Sequence, residues 1–414
     1  MQVSVLEDRR ALAAIVPEWQ ALAARAVEPN PFYEDWMLLP ALEAFGDANL
    51  AAVAVRSPGD GLVGLFPLER RARLRGLPAR ALVSWSHRHC LLSVPLVRAD
   101  RAPEVLHAFF RAMRRKASIV QFALLPAEGP FHHALVEALA GTDVALAPSD
   151  SFTRALLVRA ADADAYVRTA LSHETRSEMR RLEKRLGQMG RVEHRVLRPG
   201  DDIARWIADF MALELAGWKG RVGSALACTA ANRHFGTEIL RRGFERGRLL
   251  MVGLDLDGRP VARYSLFLAG AGAFAFKTAY DEQLRRAAPG ILVELDMVRA
   301  LHEVPGLQWA DSYTTPDNPT ISRFWRARRA MHRVALGMTP WGKLVLAALP
   351  LGRYAKREIS PVISGALRAI LAACSRARRM SGSLRRASAW WSSSRAWLRG
   401  ARTRSASTAR PSAR

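Results

Sequence analysis

The stretch AFAFKTAYDEQLRRAAPGILVELDMVRALHE, residues 273–303, gathers the residue types that bind and move charge. Its apolar start reads as a buried strand, a basic loop with Arg285 and Arg286 follows, and Pro289-Gly290 opens an apolar helix. Proline suits the first helical turn because its missing N–H would have no partner there. The free backbone N–H groups and the dipole of such a helix start form a site for a phosphate or pyrophosphate. The two arginines add positive charge just before it. The plainer reading is an ordinary strand–loop–helix crossover with solvated arginines. Lys277 interrupts the apolar strand, where an unpaired charge is costly. It therefore has to meet a phosphate, a carboxylate such as Asp311, or solvent at an open cleft.

Two zones of folded character supply the elements that position these residues, and the spacing predicts an α/β (α+β) protein. In residues 1–150, helical patterns cover Leu12 to Leu22 and a stretch ending near Leu42. AAVAVRS and LVGLFPLERR, joined by SPGDG, read as a β-hairpin. A helix over 103–116, a strand over 118–125 and a helix over 131–140 follow. In residues 151–340, SFTRALLV is a strand, a charged helix runs over about 163–188, and another helix covers Ile203–Ala216. A helix over 230–246 leads to a second hairpin, RLLMVGLDL and RPVARYSLFLAG. Then come the strand and helix of the opening stretch, the strand LQWADSY, and a short helix SRFWRARR. The two hairpins share a layout, so the halves read as one unit used twice.

The net charge is +24, and fourteen of those charges lie beyond residue 352, where fifteen Lys and Arg face Glu358 alone. The body is modestly basic. The tail, residues 341–414, carries apolar runs too short to span a membrane, which needs about 18 uninterrupted apolar residues. It reads as amphipathic and then disordered, with an anionic membrane surface as an expected partner. Cys90, Cys228 and Cys374 are too scattered for a disulfide framework or a zinc site. With no secretory signal in MQVSVLEDRR, a cytoplasmic location is expected, peripheral to the inner face of the membrane where the tail reaches it. His87-Arg88-His89-Cys90 lacks a second ligand cluster and reads as a polar loop, so no metal is expected. There is no Ser/His/Asp order and no P-loop to support hydrolysis or nucleotide triphosphate use.

Residues 165–336 resemble the GNAT-type acetyltransferase domain of the cellulose-biosynthesis CelD class, a relative of FemAB-type transferases. The segments that carry the resemblance are LSHETRSEMRRLEKRLGQMG, ELAGWKGRVGSAL, the second hairpin, FAFKTAYDEQLRRAAPGILVELDMVRA and WADSYTTPDNPTISRFWRARR. The first zone resembles, more weakly, a degenerate first unit, so a tandem GNAT fold is implied. One departure stands out. The usual donor loop is Gln/Arg-x-x-Gly-x-Gly/Ala, whereas this chain has Arg286-Ala-Ala-Pro289-Gly290.

The resemblance implies an acyl-CoA-dependent N-acyltransferase, in which an amine attacks a thioester directly. Acetyl-CoA or another acyl-CoA would lie along Phe274–Ala279, held by Phe276, Thr278, Arg285, Arg286, Pro289 and Gly290. Positioning and an oxyanion donor would supply the rate. Asp311, at the strand end where parallel-sheet sites open, would accept the ammonium proton or bind the ammonium, or else cap a loop. Lys277 would act at the site or form a structural ion pair. Tyr280 and Tyr313 would protonate the leaving thiolate or simply pack. Trp218 and Lys219, on a loop between helices, would contact an acidic acceptor, with Glu214 as a further base. The acceptor would be an amine on a small molecule, a glycan or an envelope precursor. Two alternatives remain open: a FemAB-like aminoacyl transferase using charged tRNA, and a non-catalytic scaffold in polysaccharide production.

Overall fold

The computed structural model describes residues 1–314 and 319–349, and the tail expectation from residue 350 onward lies outside the described residues. Residues 1–347 form one contact unit. Its first half contains β1 (Gln2–Leu6), α1 (Arg9–Ala13), α2 (Val16–Ala23), α3 (Asp35–Phe45), β2 (Ala52–Ser57) and β3 (Gly61–Phe66). Next come β4 (Leu68–Leu74), β5 (Leu77–Ser84), β6 (Leu96–Val97), α4 (Ala102–Lys116), β7 (Ile119–Pro126), α5 (Pro130–Leu139) and β8 (Ala145–Val158). The second half continues with α6 (Ala163–Ala170), α7 (His173–Gly187), β9 (Val192–Val196), α8 (Ile203–Ala216), α9 (Trp218–Arg221) and α10 (Ala230–Glu245). It closes with β10 (Leu249–Leu256), β11 (Arg259–Ala269), β12 (Gly272–Tyr280), α11 (Pro289–Glu303), β13 (Trp309–Asp311), α12 (Pro319–Phe324) and β14 (Ala327–Gly337).

The halves repeat one plan. β1-β2-β3-β6 and β9-β10-β11-β12 are antiparallel runs, and each is followed by a helix (α4, α11) and a returning strand (β7, β13). The two predicted hairpins are β2/β3 and β10/β11, at matching places in that plan. Each half then hands its last strand to the other. β8 pairs with β13 at Leu156–Val158, and β14 pairs with β7 from Met331 to Gly337. β8 and β14 also pair with each other over most of their length. The result is a ten-stranded sheet, β4-β5-β7-β14-β8-β13-β12-β11-β10-β9, that crosses both halves. The boundary expected at 150/151 falls inside β8.

Several expectations change. The single helix expected near 163–188 is two, α6 and α7, because Ser172 leaves helical geometry and its side chain accepts from Thr175 N. LVGLFPLERR splits at Pro67 into β3 and β4, which join different sheets. The Trp218-Lys219 loop is the short helix α9. SRFWRARR is helical only to Phe324; from Ala327 the chain is β14, whose early Arg328 and Arg329 mask a strand that lies between β7 and β8 and is mostly buried from Met331 onward. Edge strands β1 and β9 escaped the sequence reading.

α8 and α10 pack against β10–β12, and α11 packs against the same strands. Lys277 reaches α8 and the Tyr280 ring reaches Gly290 of α11. Their odd spacing along β12 puts the two helix layers on opposite faces. The core is continuous, with Trp19, Trp36, Phe109, Phe210, Phe267 and Trp325 fully enclosed. Among the described residues no helix is long and apolar enough to cross a membrane.

Candidate acyl-transfer site

β12 and β13 run parallel for three pairs only, ending at Phe274↔Asp311. Beyond that pair β13 stops, and β12 continues to Tyr280 with one edge released. The β11/β12 register also shifts between Ser265 and Leu266, so Ser265 faces Lys277 while Leu266 faces Ala275. Phe276 is the extra residue of a bulge, which bends the strand and re-aims its backbone groups. A parallel pair that splays at a bulge leaves a notch lined by main-chain donors and acceptors. One acceptor is taken: Lys219 Nζ donates to Thr278 O at 2.6 Å.

Past Tyr280 the chain makes a tight 3-10 turn, Glu282–Leu284, capped by Asp281, whose carboxylate accepts from Gln283 N at 2.9 Å. Ala288, just before α11, sits in the left-handed region at φ 48°. That conformation favours glycine. Pro289 takes the first turn of α11, as expected. Gly290 is required by packing: a Cβ there would lie 2.6 Å from Tyr280 Cδ1. Arg285 and Arg286 are exposed, and among the described residues no carboxylate pairs with them. Arg185 of α7 donates to Arg286 O at 2.7 Å and fixes the loop. A cleft of 1110 Å³ opens between α8 and the loop Tyr280–Arg286, and it takes in both arginines.

The first half offers a control. α4 also follows a 3-10 turn and carries a proline, Pro103, in its first turn. There the nearby arginines are neutralised. Arg98 pairs with Asp60 at 2.8 Å and Asp100 at 2.7 Å, and Arg101 pairs with Asp60 and Glu104, both at 2.7 Å. The strand parallel to β7 is β5, from an inserted hairpin, whereas in the second half it is the strand leading into the helix. Among the described residues, only the second half keeps both the splayed pair and cations without a carboxylate at the helix start.

The sequence candidates fall into three groups. Trp218 and Lys219 are tied to the donor loop, because Glu282 accepts from Trp218 N at 2.5 Å and from Arg221 at 2.7 Å. Trp218 remains 48% exposed at this mouth. Second, Lys277 finds its carboxylate in Glu214 at 2.7 Å, not in Asp311. Glu214 is fully enclosed, and its other oxygen accepts from Leu226 N at 2.7 Å. Lys219 lies 3.6 Å from the same carboxylate, and burial brings its ammonium down to about 8.

Third, Asp311 and Tyr313 sit deeper. Asp311 is 0% exposed, with Arg329 at 3.2 Å, Arg154 at 3.5 Å and Tyr313 N at 2.8 Å. Arg329 also pairs with Glu28 of the first half. Burial lowers Arg154 and raises Glu28 from their usual ranges. The Tyr313 ring stacks on Phe32 at 4.2 Å, and its hydroxyl accepts from Leu91 N and donates to His89 O at 3.2 Å. Burial raises that phenol well above its usual range. Tyr280, in contrast, is half-buried and lies at the outer end of the mouth.

Sequence reasoning missed His89 and Asn232. The His87–Cys90 stretch read as a polar loop, yet it reaches across to the second half. His89 Nε2 is 3.1 Å from Asn232 Oδ1, and its ring centroid lies 6.3 Å from that of Phe276. Burial, with Lys277 nearby, brings His89 down to about 4, and burial brings His87 to about 3, so both rings are neutral at pH 7. No signal along the chain pointed there, because the partners are more than 140 residues apart. Among the described residues no cluster suits a metal ion.

Residues 173–318 match a family model described as an acetyltransferase (GNAT) domain. No curated protein matches the chain. Among solved structures, a conserved protein of unknown function from Bacteroides thetaiotaomicron superposes with a TM-score of 0.51 at 10% identity, covering 81% of this chain and 100% of that one. FemX superposes with a TM-score of 0.52 at 12% identity, covering 80% and 97%. A tandem GNAT protein from the clavulanic acid biosynthesis pathway is 18% identical over 82% and 99%, with a TM-score of 0.40. The fold is of the tandem GNAT type, and the matched domain spans the notch, the donor loop and α11.

Proposed function

We propose that the second half is an acyl-CoA-dependent N-acyltransferase, acting on an amine of a small molecule, glycan or envelope precursor as in the CelD-like class. The observation that carries this reading is the contrast between the two helix starts. Near α11, Arg285 and Arg286 are free beside a cleft and a splayed strand; near α4 the equivalent charges are spent on carboxylates. Free cations at a helix start hold a diphosphate, and the released edge of β12 gives main-chain partners to the arm that carries the thioester.

The chemistry then needs an oxyanion stabilised and a proton removed. Lys277, paired with Glu214, and Lys219, bonded to Thr278 O, stand beside the strand's N–H groups, a set suited to the developing oxyanion. Each such donor contributes about 3 kcal/mol in comparable sites. Asp311 is placed to hold the floor of the notch through Arg329 and Arg154. Tyr280 flanks the phosphate end, and Tyr313 fixes the His89 loop. An amine entering past Trp218 would lose its proton to water or to neutral Lys219, whose depressed ammonium leaves a neutral fraction near pH 7.

Calorimetry with acetyl-CoA tests the donor. Binding is expected for the wild type and about tenfold weakening for Arg285→Ala with Arg286→Ala, since two charge-assisted contacts are lost. Absence of acyl-CoA binding, or salt-sensitive binding of aminoacyl-tRNA in its place, would overturn the reading.

A further inference from the structure

A second concavity lies away from the notch, between α7, β9 and α11, with a volume of 780 Å³. That is the size range of ligand pockets. Its floor is apolar: Leu171, Met179, Leu292 and Leu295. Along one wall stand Arg180 and Lys184, both exposed and, among the described residues, neither paired with a carboxylate. Its other charges are already committed. Arg176 donates to the carbonyls of Arg168 and Leu171, and Arg299 lies 3.4 Å from Asp296. His194 bridges Glu183 at 2.9 Å and Asp296 at 2.8 Å.

Apolar floor and unpaired cationic rim together describe an amphiphile with a negative head. The chain's own basic tail has the wrong charge for that rim, and a bare anion would leave the floor unused. We propose that the α7–β9–α11 groove binds one anionic lipid, its acyl chain on Leu171, Met179, Leu292 and Leu295 and its head on Arg180 and Lys184. The site is independent of acyl transfer and of the tail. Its rim helix is also the one whose Arg185 fixes the donor loop, so the lipid would sit one helix face from the mouth.

The test uses the full chain and dodecyl phosphate below its micelle concentration, with inorganic phosphate and dodecyl maltoside as comparators. One-to-one calorimetric binding is expected for dodecyl phosphate. Arg180→Glu with Lys184→Glu should weaken it at least about tenfold, since each juxtamembrane-type cation contributes on the order of one decade or slightly less. Gly187 lines the groove, and a Cβ there meets nothing within 4 Å. Gly187→Phe should therefore fill the groove and abolish dodecyl phosphate binding without disturbing the fold. Equal binding of inorganic phosphate would reduce the site to an anion contact, and equal binding of dodecyl maltoside would remove the charge recognition. Unchanged binding in both variants would place the amphiphile elsewhere. Any of these three results overturns the proposal, and none of them touches the acetyl-CoA measurement.

Discussion

Lys277 and Glu214 stabilise each other in a place where neither could stand alone. Removing one partner of a buried pair costs about 3–5 kcal/mol, and the low end applies here because Lys219 at 3.6 Å and Leu226 N still compensate Glu214 in part. Lys277→Met should therefore lower the urea-unfolding free energy by about 3 kcal/mol, and Lys277→Met with Glu214→Leu should recover much of it. Two other groups give pH signatures of opposite origin. His194 is raised to about 10 by its hydrogen bonds to Asp296 and Glu183. Its stabilisation is complete below its unfolded value near 6.5 and is lost as pH rises toward 10. The melting-temperature advantage of wild type over His194→Gln should thus shrink between pH 6.5 and 10. Glu294, enclosed in α11 with Oε1 lacking a hydrogen-bond partner, is raised to about 8 by burial. The fold keeps it protonated while the unfolded chain releases the proton above about 4.5, so the wild type loses stability between those values. Glu294→Gln should gain over wild type across that window, by up to about 1.4 kcal/mol per pH unit. The need of Lys277 for a partner was legible from its apolar neighbours. The partner's identity was not, because Glu214 lies 63 residues away and Asp311 is claimed by arginines from β8 and β14.

The donor loop and α11 form the element whose local code was plainest. Proline at the first turn, arginines before it and an apolar helix after it were all readable from spacing, and the structure keeps them together. Ala288 was not readable as a left-handed residue, since alanine gives no sign of it. A non-glycine residue there costs about 1–2 kcal/mol, and glycine's extra chain entropy offsets about 0.4–1 of that. Ala288→Gly should therefore stabilise the protein by about 0.5 kcal/mol in urea unfolding and leave acetyl-CoA affinity intact. Amphipathic helices such as α8, whose bounds match the expected Ile203–Ala216, declare themselves through the period of their apolar residues. β14 and β9 do not: β9 has no buried residue, Arg328, Arg329 and Arg333 break the apolar run of β14, and only pairing across the chain makes them strands.

Across the whole molecule, the junction is built from exchanged strands and one buried ionic cluster, Glu28–Arg329–Asp311–Arg154. Cutting the chain at 150 severs β8 itself, so residues 151–349 expressed alone should give an aggregating product, not a soluble monomer with native circular dichroism. Arg329→Met should likewise destabilise both halves together, seen as one cooperative transition shifted to lower urea. Synthesis meets the same arrangement in time. β7 leaves the ribosome roughly two hundred residues before β14, the strand that covers its edge. At about 5–20 residues per second that is a delay on the order of 10–40 seconds. For that interval the nascent chain exposes an apolar strand edge, a template for sticking to neighbours. Yield should therefore depend on holdase chaperones and low expression temperature far more than the stability of the finished fold would suggest.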